Sequence, residues 1–145
     1  MKMLNEITLI MAKKDDLWGV INLKGETVVN FEFKEVTVHE DFDLIQVENE
    51  SGVGFYDTNG KKLVPCSYKD SKRPFGYNHI PVLNEFWGLI DRNGNYIIKD
   101  NYLDIEGFIN RNMIFLKNVE KKWGAVNVNL NLIIPFVYDD IRIVW

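Results

Sequence analysis

Apolar and polar positions alternate in short runs along this chain, and the runs return at a nearly fixed interval. The clearest is Trp87-Gly88-Leu89-Ile90-Asp91-Arg92-Asn93-Gly94-Asn95-Tyr96-Ile97-Ile98. It has strand character, then an Asx-to-Gly turn, then an aliphatic return. Further copies open at Trp18, Val53 and Trp123. Aligned on Gly19, Gly54, Gly88 and Gly124, the steps are 35, 34 and 36 residues, the interval of a repeat architecture. Other positions recur in register. A hydrophobic residue stands at Ile21, Tyr56, Ile90 and Val126, and an Asx follows at Asn22, Asp57, Asp91 and Asn127. A turn glycine comes next at Gly25, Gly60 and Gly94, with Leu130 as the exception. An aromatic (Phe33, Tyr68, Tyr102, Tyr138) and, two residues on, an acid (Glu35, Asp70, Asp104, Asp140) complete each copy.

Each position has a mechanical reading. Asp91-Arg92-Asn93-Gly94 suits a type I turn closed by a left-handed glycine. The Asx side chain bonds the turn backbone, and glycine takes positive φ without a Cβ penalty. Leu130 is costly there, so Asn129 or Asn131 is expected to take the left-handed conformation in the last copy. The tryptophan is large enough to be the main core contribution of its unit. The glycine beside it implies that another backbone or ring passes close by. Pro65 and Pro74 are expected at strand ends, because proline cannot donate to a ladder.

Between hairpins, Ile7–Ala12, an alternating run from Phe31 through Val36 and Val38, Phe42–Val47, Ile80–Leu83 and Met113–Leu116 read as linking strands, and no segment carries a long 3.6-residue period. At most a single helical turn is expected, near the aromatic-x-acid step. The expected fold is therefore all-β, one domain over 1–145, with four meander repeats whose hairpins start near 18, 53, 87 and 123. A closed, small propeller-like ring is favoured over an open solenoid. The segment Asp140–Trp145 has the form of a linking strand with no hairpin after it, and the first hairpin lacks a complete one before it. Chain ends that complete one sheet leave little exposed edge. The alternative is that the same segment lies against a second subunit.

These residues resemble the WG-repeat family of bacterial proteins. The fourth copy, Lys122-Trp123-Gly124 through Ile134-Pro135 to Tyr138-Asp139-Asp140, carries the family pattern most fully. The departures are Val53 for Trp, Asn30 and Lys99 for Pro, and Leu130 for Gly. The resemblance implies a β-rich interaction module and brings no catalytic motif.

Composition narrows the function. With 46% hydrophobic and 26% charged residues the chain is of ordinary globular type, and no run approaches the length of a membrane span. Net charge is −4, and its excess lies between Glu32 and Glu50. There Glu32, Glu35, Glu40, Asp41, Asp43, Glu48 and Glu50 face only Lys34. No basic stripe exists for nucleic acid. One cysteine, Cys66, and two histidines, His39 and His79, lack metal-site spacing. Cys66 and His79 can be drawn as nucleophile and base, but a packed thiol is the better reading. The recurring acids read as turn caps, and the tryptophans as core rather than sugar platforms.

The expectation is a non-enzymatic, cytoplasmic protein-binding module without cofactor, metal, nucleic-acid or membrane partner, monomeric or homodimeric. It would engage a protein partner of basic character, as an immunity-type or regulatory protein would, through Glu40, Asp41, Asp43 and Glu48. A carbohydrate or cell-wall binding module is the alternative.

Overall fold

The computed structural model describes residues 9–108 and 112–144. Trp145 and the start of the expected first strand, Ile7 and Thr8, lie outside them. The described chain is a succession of antiparallel strands in four sheets. The first sheet holds β1 (Leu9–Lys14), β2 (Leu17–Asn22) and β3 (Thr27–Phe33). The second holds β4 (Glu35–His39), β5 (Leu44–Asn49), β6 (Gly52–Asp57) and β7 (Lys62–Tyr68). The third holds β8 (Asp70–Ser71), β9 (Ile80–Leu83), β10 (Trp87–Ile90) and β11 (Tyr96–Tyr102). The fourth holds β12 (Asp104–Phe108), β13 (Met113–Lys117), β14 (Trp123–Val126) and β15 (Leu132–Tyr138). Each sheet runs in chain order and none closes on itself. The chain divides into two compact units, Met1–Lys69 and Asp70–Trp145, with two sheets in each.

The expected hairpins are β2–β3, β6–β7, β10–β11 and β14–β15, and all four share one irregular register. The lead residue pairs with the recurring aromatic: Trp18 with Phe33, Val53 with Tyr68, Trp87 with Tyr102, Trp123 with Tyr138. Two residues on, Val20 pairs with Val29, Phe55 with Val64, Leu89 with Ile98 and Ala125 with Ile134. One glycine thus faces three residues of the return strand, such as Asn30-Phe31-Glu32 opposite Gly19. The return strand bulges across the glycine. A Cβ on Gly54 would stand 2.7 Å from the Cys66 nitrogen and the Val64 oxygen, and one on Gly88 2.8 Å from Asp100 Cα. This close approach is why glycine follows the lead residue in every copy.

The bulge also corrects the reading of Pro65, which lies inside β7 rather than at a strand end. It falls between the paired positions Val64 and Tyr68, where the ladder to β6 is interrupted and no N–H is needed. Pro135 occupies the same place in β15.

In the first unit the core joins Val20, Val29 and Phe33 of the first sheet to Val36, Ile45 and Val47 of the second, with Trp18, Tyr56 and Cys66 packed at its margin. In the second unit Leu89 and Ile98 of the third sheet meet Ile105, Ile114 and Leu116 of the fourth, flanked by Trp87, Tyr102 and Phe136. Each fully buried aliphatic contributes about 1.5–3 kcal/mol. Phe55, fully buried, occupies the position of Val20 and Leu89 and adds ring volume beside Val53, where the other copies have tryptophan. Gly107 lies inside β12 because the Phe75 ring occupies the space a side chain would take, 2.4 Å from a Cβ placed there.

Two further expectations differ. The single helical turn is a 3-10 turn over Glu40–Phe42, after β4 rather than at the aromatic-x-acid step. Residues 141–144, expected as a linking strand, form none, and the first sheet has three strands among the described residues.

Candidate functional site

The loops are set on a frame of repeated hydrogen bonds. Asp91 Oδ1 accepts the N–H groups of Asn93 and Asn95. Its carbonyl accepts from Gly94, and its own N–H donates to the Asn95 carbonyl. Asn22, Asp57 and Asn127 do the same in their hairpins. The position three beyond the Asx is left-handed in every case, including Leu130 at φ 66°. The expectation that Asn129 or Asn131 would take this role is thereby corrected. The bond set fixes where the left-handed residue must fall, and it outweighs the ~1–2 kcal/mol that a Cβ costs there. A further turn of this kind joins β13 to β14: Asn118 Oδ1 accepts from Glu120 and Lys122, with Lys121 at φ 66°.

A second tie recurs at three of the turns, joining each to the loop beside it. Asp43, Asn78 and Asn112 each stand two residues before a fully buried isoleucine, Ile45, Ile80 or Ile114. Asp43 Oδ1 accepts from Thr58 Oγ1 at 3.4 Å, Asn78 Oδ1 from the Arg92 N–H at 3.3 Å, and Asn112 Oδ1 from the Val128 N–H at 3.0 Å. The three donors occupy one position, immediately after the turn Asx. The sequence signal is an Asx at constant offset from the isoleucine, visible only once the linking strands are aligned.

On this frame sits the acidic loop of the second repeat. Glu40 and Asp41 form the first turn of the 3-10 segment, no residue of it is buried, and no basic residue follows in it. Asp43 closes it in the left-handed region at φ 52° and makes the tie to Thr58. His39 at the base bonds Gln46 Oε1 through Nε2 at 3.2 Å. Glu48 lies elsewhere. It is four residues along β5 from Leu44, about 13 Å at 3.3 Å per residue, and faces Glu35 across the β4–β5 ladder. The structure therefore brings together three of the four acids singled out by the sequence.

The first unit also holds a pocket of about 240 Å³ lined by Glu32, Phe33, Tyr56, Lys62, Val64 and Cys66, among others. Burial pushes the Cys66 thiol above its ordinary pKa, against the pull of Lys62. Burial, then Glu32, raises the Tyr56 phenol likewise. Both groups are held in their neutral forms, the wrong direction for a nucleophile. The Phe33 and Tyr56 rings meet edge-on at 5.9 Å, as core packing does.

In the second unit the recurring acid acts as a cap. Asp70, Asp104 and Asp140 each accept the N–H of the next residue. Asp104 also takes an ion pair from Lys72, whose ammonium bonds Glu106 and the Ile105 carbonyl and lies 5.1 Å from the Trp87 ring centre. Burial pulls the Lys72 pKa down, but the bonds from Asp104 and Glu106 outweigh it and leave it raised. Arg92, the one buried charged residue among those described, places its guanidinium 3.9 Å from the Tyr77 ring centre. His79 packs at 5.8 Å from Phe75, and burial lowers its pKa. Trp123 is buried, and Trp18 and Trp87 are half-buried against their cores.

Among the described residues no group of three His, Cys, Asp or Glu is placed to hold a metal ion, and no helix is long and apolar enough to cross a membrane. No curated protein matches the chain. The family described as WG containing repeat matches it four times, at residues 18–50, 54–84, 87–118 and 123–143. With the bulge glycine and the Asx turn in the same register in each hairpin, the chain belongs to the WG-repeat family.

Proposed function

We propose that this chain is a non-catalytic protein-binding module, and that its acidic loop, Glu40–Asp43, receives a basic surface of the partner. The observation that carries the reading is an exposed turn with two adjacent acids, held at its base by the Asp43–Thr58 and His39–Gln46 bonds. A mobile recognition loop loses side-chain and backbone freedom on binding. A loop already tied to a sheet loses less. Glu40 and Asp41 make the contact in this reading, Asp43 positions them, and Glu48 lies outside the surface. A cytoplasmic immunity-type or regulatory protein that neutralises a basic target is the narrower form.

The test uses a lysine- and arginine-rich peptide as probe, titrated by NMR and calorimetry at low and high salt. Wild type is expected to bind at low salt, with amide shifts centred on residues 39–44. Reversing Glu40 and Asp41 to Lys together should abolish those shifts, mostly by slowing association, and should leave the melting temperature unchanged. Asp43 is left intact so that the loop keeps its tie. Shifts centred elsewhere, or an affinity indifferent to the double reversal, remove this site.

A further inference from the structure

The two terminal sheets each carry apolar positions that are more exposed than their counterparts in the other repeats. Residue by residue, β15 corresponds to β3, β7 and β11. Tyr138 stands where Phe33 and Tyr68 stand, yet it is 49% exposed while they are 3% and 8% exposed. Ile134 is half-buried where Val29, Val64 and Ile98 are buried, and Ile133 is exposed where Val28, Leu63 and Ile97 are half-buried. The outward positions of this strand are apolar too. Leu132 and Val137 replace Thr27 and Glu32 of the first repeat and Lys62 and Ser67 of the second, and both are exposed.

At the other end, β1 corresponds to β5, β9 and β13. Ile10 pairs with Ile21 just as Ile45 pairs with Tyr56, Ile80 with Ile90 and Ile114 with Val126. Those three isoleucines are fully buried, and Ile10 is 40% exposed. Met11 beside it is exposed as well.

What covers such faces is visible inside each unit. Phe33 and Val29 of the first sheet pack against Ile45 and Val47 of the second. Ile98 and Leu89 of the third pack against Ile114 and Leu116 of the fourth. The trailing face of one sheet takes the second strand of the next. The open trailing face at β15 and the open leading face at β1 are the two halves of that same contact. Exposed apolar patches of this kind mark association sites.

The geometry points to self-association head to tail: the β15 face of one copy, around Ile133, Ile134 and Tyr138, seats the β1 face of a second copy, around Ile10. The contact joins two different surfaces and so is heterologous, which leads to rings of chains or to filaments rather than to one isologous dimer.

The test is sedimentation across a wide concentration range with two variants and their mixture. Ile10→Lys blocks the leading face, and Ile133→Lys with Tyr138→Lys blocks the trailing face. Wild type is expected to associate beyond the dimer as concentration rises. Each variant alone should remain monomeric, while an equimolar mixture should form a one-to-one dimer through the two faces left intact. All substituted positions are partly exposed, so the melting temperature of dilute protein should hold. If a lysine variant unfolds, Thr at the same positions carries the same test, since it suits a strand. A wild type that is monomeric throughout overturns the proposal, as it would if the faces met within one chain. So does a dimer formed by either variant alone, which would mean like faces pairing.

Discussion

The third hairpin turns on Asp91 and Gly94, the fourth on Asn127 and Leu130, and the two make the same hydrogen bonds. They differ in what lies on them. The return strand of the third, β11, buries Ile98 and packs Tyr102 against Phe136 at 6.3 Å. The return strand of the fourth, β15, buries none of its residues. Hairpin geometry in this family fold is therefore local, set by one Asx oxygen and one bulge glycine, and does not depend on being covered by a neighbouring sheet. Covering supplies stability, and its absence leaves a surface free for other contacts.

The largest expected effect probes the bulge. In Gly88→Ala the new Cβ would meet the Asp100 backbone at 2.8 Å and the Ile98 oxygen at 2.9 Å, atoms fixed within a packed strand. The cost should reach about 3 kcal/mol, the upper end for overpacking. In Gly124→Ala the nearest atoms, at 2.6 and 2.7 Å, belong to the Phe136 ring, with the Ile134 oxygen at 2.8 Å. Its strand is exposed and can give way, so roughly 1–2 kcal/mol is expected. Urea unfolding of the two variants side by side checks the order. Equal losses would mean that covering adds no rigidity.

A smaller effect probes the Asx. Asp91→Ala and Asn127→Ala each remove the one side-chain oxygen that accepts from two turn N–H groups, which water can reach. Each should cost about 1–2 kcal/mol. Asp91→Asn should be close to neutral, since Asn serves in the first and fourth copies. The comparison breaks if Asp91→Ala is silent while Asn127→Ala is not, because glycine alone would then hold the third turn.

The two hairpins also mark how far the amino-acid sequence discloses the fold. The four hairpins, the all-β class and the close approach over the bulge glycine are legible in it because each rests on residues adjacent along the chain. The left-handed Leu130 is not, because propensity argues against it and only the completed set of turn bonds overrides propensity. Pro65 misleads for a related reason: a rule about ladders fails where the ladder is interrupted. The acidic run looks like one site because its members are close in sequence. A strand carries Glu48 away from Glu40, and no count of charges reveals that. The ties through Asp43, Asn78 and Asn112 stay hidden because the linking strands vary in length, so their common offset from Ile45, Ile80 and Ile114 emerges only from the pairing.

The last and smallest effect concerns the exception itself. Leu130 holds φ 66° with its side chain 47% exposed, so it gains little from burial and carries the crowding of a Cβ in the left-handed region. Leu130→Gly should relieve about 1–2 kcal/mol of that crowding, against about 0.4–1 kcal/mol for the greater freedom of glycine in the unfolded chain. A net gain of about 0.5–1 kcal/mol is expected, read by urea unfolding of dilute protein, and Gly94→Leu should lose a similar amount. A loss in dilute Leu130→Gly would show that the leucine side chain packs within its own chain and that the two turns are not equivalent. A gain that vanishes only at high concentration would show Leu130 contributing to the contact at β15, and so would join the exception in the turn to the open face beside it.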